Sequence, residues 1–227
     1  MKTKKNLLNL FYSILLLVLF ILLTILAKTV DYKPIGPNSS SVGLASINQK
    51  FHDLTGVHLT FYNITDWLGL VPIFVMFFFA ILGLIMWIKR KSILKVDSDI
   101  LVLGAYYIVL IFLYFLFEKV VINYRPVLIN GILEASYPSS TTLLVLAVML
   151  SAIPQIIKRI KNSRLKKILI ALAIGFTLFM VVGRLISGVH WLTDIIGGLL
   201  LSSWLAVTNY LILNFLENKK NDKNKSL

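Results

Sequence analysis

Hydrophobic positions in this chain come in long unbroken blocks, without the alternation of half-buried strands or the narrow apolar stripe of a soluble helix. Six blocks approach or exceed the length that a helix needs to cross a hydrocarbon core. They are Leu7–Ala27, Trp67–Ile88, Ile100–Phe117, Thr142–Ile157, Ile168–Ser187 and Ile195–Phe215. The fourth is the shortest and carries Pro154 near its end, so its boundary is the least defined. None alternates like a barrel strand, and only helices or closed barrels satisfy their backbone in lipid. The pattern predicts an all-α polytopic membrane protein, six transmembrane helices in a single domain over residues 1–227.

Between the blocks, one sizeable polar segment stands out, residues 28–66. Its "KPIGPNSSSVG" stretch is rich in turn residues, and "LASINQKFHDL" has the pattern of a short amphipathic helix lying at the interface. Trp67 and Trp87 bracket the second block as interface anchors, with Thr65 or Asp66 placed to cap it. "MKTKKN" resembles the start of a signal peptide, but the apolar run after it is too long and "ILAKTVDYKP" is a poor cleavage site. An uncleaved first span is expected, and a polar tail over 217–227.

Charge orients these spans. With six crossings, one side holds Lys2, Lys4 and Lys5, then Lys89, Arg90, Lys91 and Lys95, the basic run from Lys158 to Lys167, and Lys219, Lys220, Lys223 and Lys225. The other side holds only Lys28, Lys33, Lys50, Lys119, Arg125 and Arg184 of the 23 basic residues. By the positive-inside rule both termini are expected in the cytoplasm. The net charge of +13 then reads as a topology signal with attraction to anionic membrane lipids, and no nucleic-acid partner is needed to explain it. The absence of cysteine excludes disulfides and thiolate metal sites.

The few charges on the less basic side gather in two places, "EKVVINYRP" from Glu118 and "GRLISGVHWLTD" from Gly183. A charged group at a bilayer boundary is costly and normally has a partner or a task. His190 and Asp194 are spaced i, i+4, which on a helix sets the carboxylate beside the imidazole and fixes its tautomer. Arg184 adds a forked donor suited to phosphate oxygens. "YPSST", from Tyr137, opens a helix with hydroxyl residues, either as a simple cap or as an anion-binding N-terminus. Taken singly, each residue is as well explained by snorkelling or packing.

Together, R-x5-H-x3-D at Arg184, His190 and Asp194, "RP" at Arg125–Pro126 and the Pro138–Ser139 helix start resemble the type 2 phosphatidic acid phosphatase superfamily. The resemblance runs from about residue 100 to 216. It implies that His190 attacks phosphorus to form a phosphohistidine, with Asp194 orienting it. It also implies that Arg125 and Arg184 grip the phosphate while the amides of Ser139, Ser140 and Thr141 cradle it. The partners implied are a lipid phosphate or pyrophosphate and the surrounding membrane lipids; no cofactor or metal is implied, and the oligomeric state is left open.

Three positions depart from that family's pattern. Gly183 stands where Ser is usual. Thr141 replaces the histidine that protonates the leaving oxygen, a role typically worth about 10²–10⁴-fold. Glu118 stands where the family has lysine; Lys119 is one residue later, turned by about 100° on a helix, and is a candidate phosphate contact or a snorkelling lysine. The departures leave three readings. A lipid pyrophosphate needs little acid help, because its leaving group is itself a phosphate with a second pKa of roughly 6. Another acid could serve, from Glu118, Glu134, Asp31, Asp53, His52 or His58. Or the protein binds or carries a phospholipid with little hydrolysis. A transporter is disfavoured by the lack of inverted repeats.

Overall fold

Six apolar stretches of this chain form helices, and a computed structural model shows how they are connected. It describes residues 2–225, with side chains described for 6–219. Met1, and Ser226 and Leu227 of the expected tail, lie outside the described residues, as do the side chains of Lys2, Lys4, Lys5, Lys220, Lys223 and Lys225. The helices are α1 (Lys2–Thr29), α2 (Ala45–Thr55), α3 (Leu59–Leu68), α4 (Leu70–Arg90), α5 (Ser98–Lys119), α6 (Ser140–Arg159), α7 (Ser163–Ile186) and α8 (Leu192–Lys225). Among the described residues, six stretches are long and apolar enough to cross a membrane, α3 and α4 counting as one.

The central helix is α6. Half of its most apolar window is buried, against 17% for α1, and it packs on α5, α7 and α8. Leu143, Ala147 and Val148 of α6 meet Leu103 and Leu110 of α5 and Leu201 of α8. Several polar groups inside this apolar bundle are paired, since lipid offers them nothing. Tyr106 donates to the Ala147 carbonyl at 2.9 Å, Tyr107 meets Ser151 at 3.2 Å, and Ser13 of α1 meets Thr208 of α8 at 2.8 Å. Outward-facing Phe74, Phe78, Ile108, Phe112 and Leu178 stay exposed, as a lipid-facing surface would be.

At one end of the bundle, acids opening α5 neutralise bases closing α4 and α6. Arg90 pairs with Asp97 at 2.8 Å, and Asp99 takes both Lys158 at 2.7 Å and Arg159 at 2.8 Å. Every candidate site residue lies at the opposite end.

The second span differs from its expected bounds. Helix begins at Leu59, and α3 and α4 join across Gly69, whose N–H reaches the carbonyls of Thr65 and Asp66, both at 3.0 Å. Neither Thr65 nor Asp66 caps a helix: Thr65 lies inside α3 and donates back to the Phe61 carbonyl at 2.7 Å, and Asp66 turns to Arg184. The polar residues Thr60, Asn63, Thr65 and Asp66 hide this turn of helix from hydropathy; of these, Thr65 is fully buried and Asp66 pairs with Arg184 of α7. The fourth span runs through Pro154 to Arg159.

The amphipathic helix forms as α2 and docks on the bundle. Asn48, fully buried, donates to Thr193 Oγ1 at 3.0 Å and accepts from the Thr193 N–H at 3.2 Å. A side chain of α2 therefore caps the first turn of α8.

Candidate functional site

The start of α6 and the start of α8 are tied together. Ser139 is the N-cap of α6; its hydroxyl accepts from Thr142 Oγ1 at 3.1 Å, and its own N–H donates to the Asp194 carbonyl at 2.9 Å. That bond corrects one expectation: the Ser139 amide is already engaged and contributes no anion donor. Ser140 and Thr141 open the helix, where amides have no intrahelical acceptor.

His190 and Asp194 do not share a helix face. The helix begins at Leu192, so His190 sits in the preceding turn and Asp194 is the third residue of α8. Its Oδ2 reaches back to the Trp191 N–H at 2.8 Å, the carboxylate half of a capping box. Imidazole Nδ1 and Oδ2 are 3.8 Å apart, too far for a hydrogen bond. Ser136 closes the gap: its Oγ is 3.1 Å from His190 Nδ1 and donates a short hydrogen bond to Asp194 Oδ2. A hydroxyl has one proton, so donating it to the carboxylate leaves the oxygen to accept from Nδ1–H. That assignment leaves Nε2 with its lone pair. The ring is buried, and burial first, then the positive charges of Arg125 and Arg184, push its pKa well below the usual histidine range.

Arg125 is held by a two-residue bridge between Tyr124 and Ala135, its N–H on the Glu134 carbonyl at 3.1 Å. Its Nε also lies 3.1 Å from Glu134 Oε2, a charge contact without hydrogen-bond alignment. Arg184, at the end of α7, is 2% exposed and directs Nη2 at Asp66 Oδ1 (2.8 Å) and Thr141 Oγ1 (2.6 Å). Both guanidinium groups lie over Tyr62 of α3, 5.9 Å and 5.0 Å from the ring centre. Cation–π attraction at that range orients such groups without occupying their donors.

Six buried atoms of this cluster have no hydrogen-bond partner: Nε and Nη1 of Arg125, Nε and Nη1 of Arg184, Nε2 of His190 and Oδ1 of Asp194. Buried polar atoms in folded proteins are nearly always satisfied, so such a group of them marks a place for a ligand. Four are cationic donors, a set suited to an anion.

Lys119 is exposed at the end of α5, while Glu118 lines a small recess with Ser136, Tyr137 and Ser140. Most of the other acid candidates are engaged elsewhere. Lys33 and the Ser46 amide hold the Asp31 carboxyl at about 2. Asp53 accepts from Gln49, His58 Nε2 lies 2.9 Å from the Thr55 carbonyl, and His52 packs on Trp191. Tyr114, on the wall of the recess, also lines an apolar groove of about 880 Å³ between α4 and α5, which runs down past Phe77, Gly83 and Leu103.

Ser136, Tyr62 and Asn48 are absent from the sequence-based set. Tyr62 and Asp66 are i, i+4, a spacing that places them on one face once α3 is known to be helix. Ser136 offers only its place two residues before Pro138.

No curated protein shows a match to the chain. A crystal structure described as the first transmembrane PAP2 type phosphatidylglycerolphosphate phosphatase from Bacillus subtilis shares the fold, with a TM-score of 0.54 at 19% identity, covering 92% of this chain and 97% of that one. The family described as the PAP2 superfamily matches residues 119–217, the stretch that supplies both arginines, Ser136, His190 and Asp194. That segment of the chain is similar to the PAP2 superfamily.

Proposed function

We propose that this protein is a membrane lipid phosphatase that forms a phosphohistidine at His190, with a lipid pyrophosphate of the undecaprenyl type as its preferred substrate over a lipid monophosphate. The observation that carries the reading is that four arginine donors and the imidazole Nε2 stand buried without hydrogen-bond partners, with both arginine charges felt by the ring. Non-bridging phosphate oxygens take the Nε and Nη1 positions of Arg125 and Arg184, where forked donors match them. The Nε2 lone pair attacks phosphorus, the P–O bond to the lipid breaks, and its electron pair stays on the leaving oxygen. Nδ1 keeps its proton, and the charge that develops on the ring faces Ser136 and Asp194. Water then attacks phosphorus, the N–P electrons return to Nε2, and the water proton leaves with inorganic phosphate.

Thr141 sets the preference between substrates. Its hydroxyl accepts from Arg184 and cannot deliver a proton at neutral pH. A lipid monoester would expel an alkoxide unaided, whereas a pyrophosphate expels a phosphate. The groove below Tyr114 gives an apolar chain a place beside the recess. We also propose that residues 1–227 form one membrane domain with both termini in the cytoplasm and the site facing outside.

The test is phosphate release from undecaprenyl pyrophosphate and from phosphatidic acid by the purified protein, with His190→Ala as control. Faster, His190-dependent release from the pyrophosphate supports the proposal. No release from either, with lipid phosphate still bound in an Arg184-dependent way, makes the protein a binder or carrier. Equal rates remove the leaving-group argument.

A further inference from the structure

Two departures from the family pattern, Thr141 and Gly183, lie beside Arg184, whose carboxylate partner comes from outside the family-matched segment. That side chain is Asp66 of α3. Among the described residues it is the one carboxylate within ion-pair distance of Arg184, at 2.8 Å from Nη2. The same nitrogen donates to Thr141 Oγ1 at 2.6 Å. Arg184 Nη2 thus has both protons engaged, while Nε and Nη1 of the same group have none.

Helix α3 reaches this position because Gly183 has no side chain. A Cβ built there would lie 2.7 Å from Thr65 Cγ2, closer than real contacts allow. The serine usual in the family would push Thr65, and Asp66 beside it, away from α7. A second close approach fixes the start of α3. Gly188, at φ +67, lets the backbone pass over Gly56, where a Cβ would lie 2.0 Å from the Gly56 carbonyl oxygen. There the His58 N–H donates to the Ser187 carbonyl at 2.9 Å. Tyr62, one turn before Asp66, lies under both arginines.

We infer that Asp66 is a positioning residue for Arg184: with Thr141 it holds Nη2 through the gap at Gly183, so that the Nε–Nη1 edge faces the phosphate. A buried guanidinium without a carboxylate partner would turn to recover one, or leave its pocket. The inference rests on the phosphate reading of the arginine pair proposed above. It adds a residue that the family core does not contain, and it assigns Gly183 the role of admitting that residue.

The test uses the full chain in detergent, with orthovanadate as the phosphate analogue and titrated thermal unfolding as the readout. Asp66→Ala is expected to weaken orthovanadate binding about 10- to 100-fold, the range for a hydrogen bond to a charged group. Asp66→Asn keeps an acceptor without the charge and falls between. In turnover, KM rises while kcat changes little, because Asp66 acts on binding through Arg184. Gly183→Ser should reproduce the Asp66→Ala defect. Adding Thr65→Ser, which removes Cγ2 but keeps the hydroxyl, should restore binding.

Unchanged or tighter binding in Asp66→Ala overturns the inference, since a carboxylate that competed with phosphate would give the tighter result. Failure of Thr65→Ser to rescue overturns the route through Gly183. Orthovanadate binding that depends on Asp66 in a protein without turnover leaves the inference standing and removes the phosphatase reading. No binding by the unaltered protein overturns both.

Discussion

Ser136 Oγ stands between His190 and Asp194, 3.1 Å from Nδ1 and hydrogen-bonded to Oδ2, while imidazole and carboxylate remain 3.8 Å apart. The orienting effect of the carboxylate therefore passes through a hydroxyl. Ser136→Ala should lower kcat about 10- to 100-fold with little change in KM, because hydrogen bonds to charged groups are worth about 1.5–3 kcal/mol. Steady-state kinetics of phosphate release check this. A variant with unaltered kcat would mean that Asp194 acts on the ring directly.

Arg125 and Arg184 differ in their surroundings, and their lysine variants should differ too. Arg184 uses Nη2 on two partners and offers its other edge to the ligand, which a lysine cannot reproduce. Arg184→Lys should lose binding of orthovanadate by about 10-fold or more, close to the loss in Arg184→Ala. The Arg125 guanidinium has one charged partner, Glu134, and no aligned side-chain hydrogen bond, so Arg125→Lys should be milder. Binding titrations of the four variants at one pH decide it.

His190 is buried neutral, which ties folding stability to pH. Its folded pKa is lowered by burial and by the two arginines. In the window just below the ordinary histidine value of about 6.5, the unfolded chain binds a proton that the native protein refuses. Stability contributed by this site therefore falls as pH drops through 6.5 and returns as pH rises. His190→Gln should flatten that part of the profile. Unfolding midpoints of both proteins in detergent between pH 8 and 5 give the difference, and parallel curves would contradict it.

Thr141→His should raise monoester cleavage relative to pyrophosphate cleavage, by about 10-fold or more where the imidazole reaches the leaving oxygen. The measurement is the ratio of the two rates, which cancels differences in the amount of active protein. An unchanged ratio would mean that the acid is not what limits monoesters.

Cysteine is absent from the chain, so single cysteines give a clean topology test. Asn38→Cys should react with an impermeant thiol reagent in intact cells, and Lys161→Cys should not. Lys161 is exposed and, unlike the neighbouring Asn162, caps no helix. Reversed labelling would place the site in the cytoplasm.

The spans were legible because lipid demands long apolar runs, and all six have helices in the structure. Hydropathy failed at α3 for a physical reason: Tyr62, Thr65 and Asp66 face α7, so their polarity reports a protein contact and not an exit from the membrane. Arg125, Arg184, His190 and Asp194 were readable as a motif, and the structure brings them together. The manner of their contact was not readable. The i, i+4 spacing assumed a helix that starts two residues after His190, and the hydroxyl that bridges the pair comes from another loop, 54 residues before the imidazole. Spacing arguments work within one element; Ser136, Asn48 and Asp66 act between elements distant in the chain.

Asn48 grips the first turn of α8 from 145 residues upstream, and that reach has a consequence for how the protein is made. The upstream half of the pocket is synthesised before its imidazole. A chain that stops short of the last span holds Arg125 and Asp66 but lacks the Thr193 and Asp194 contacts that tie the pocket together. Insertion of the final helix thus completes the bundle and the pocket in one step.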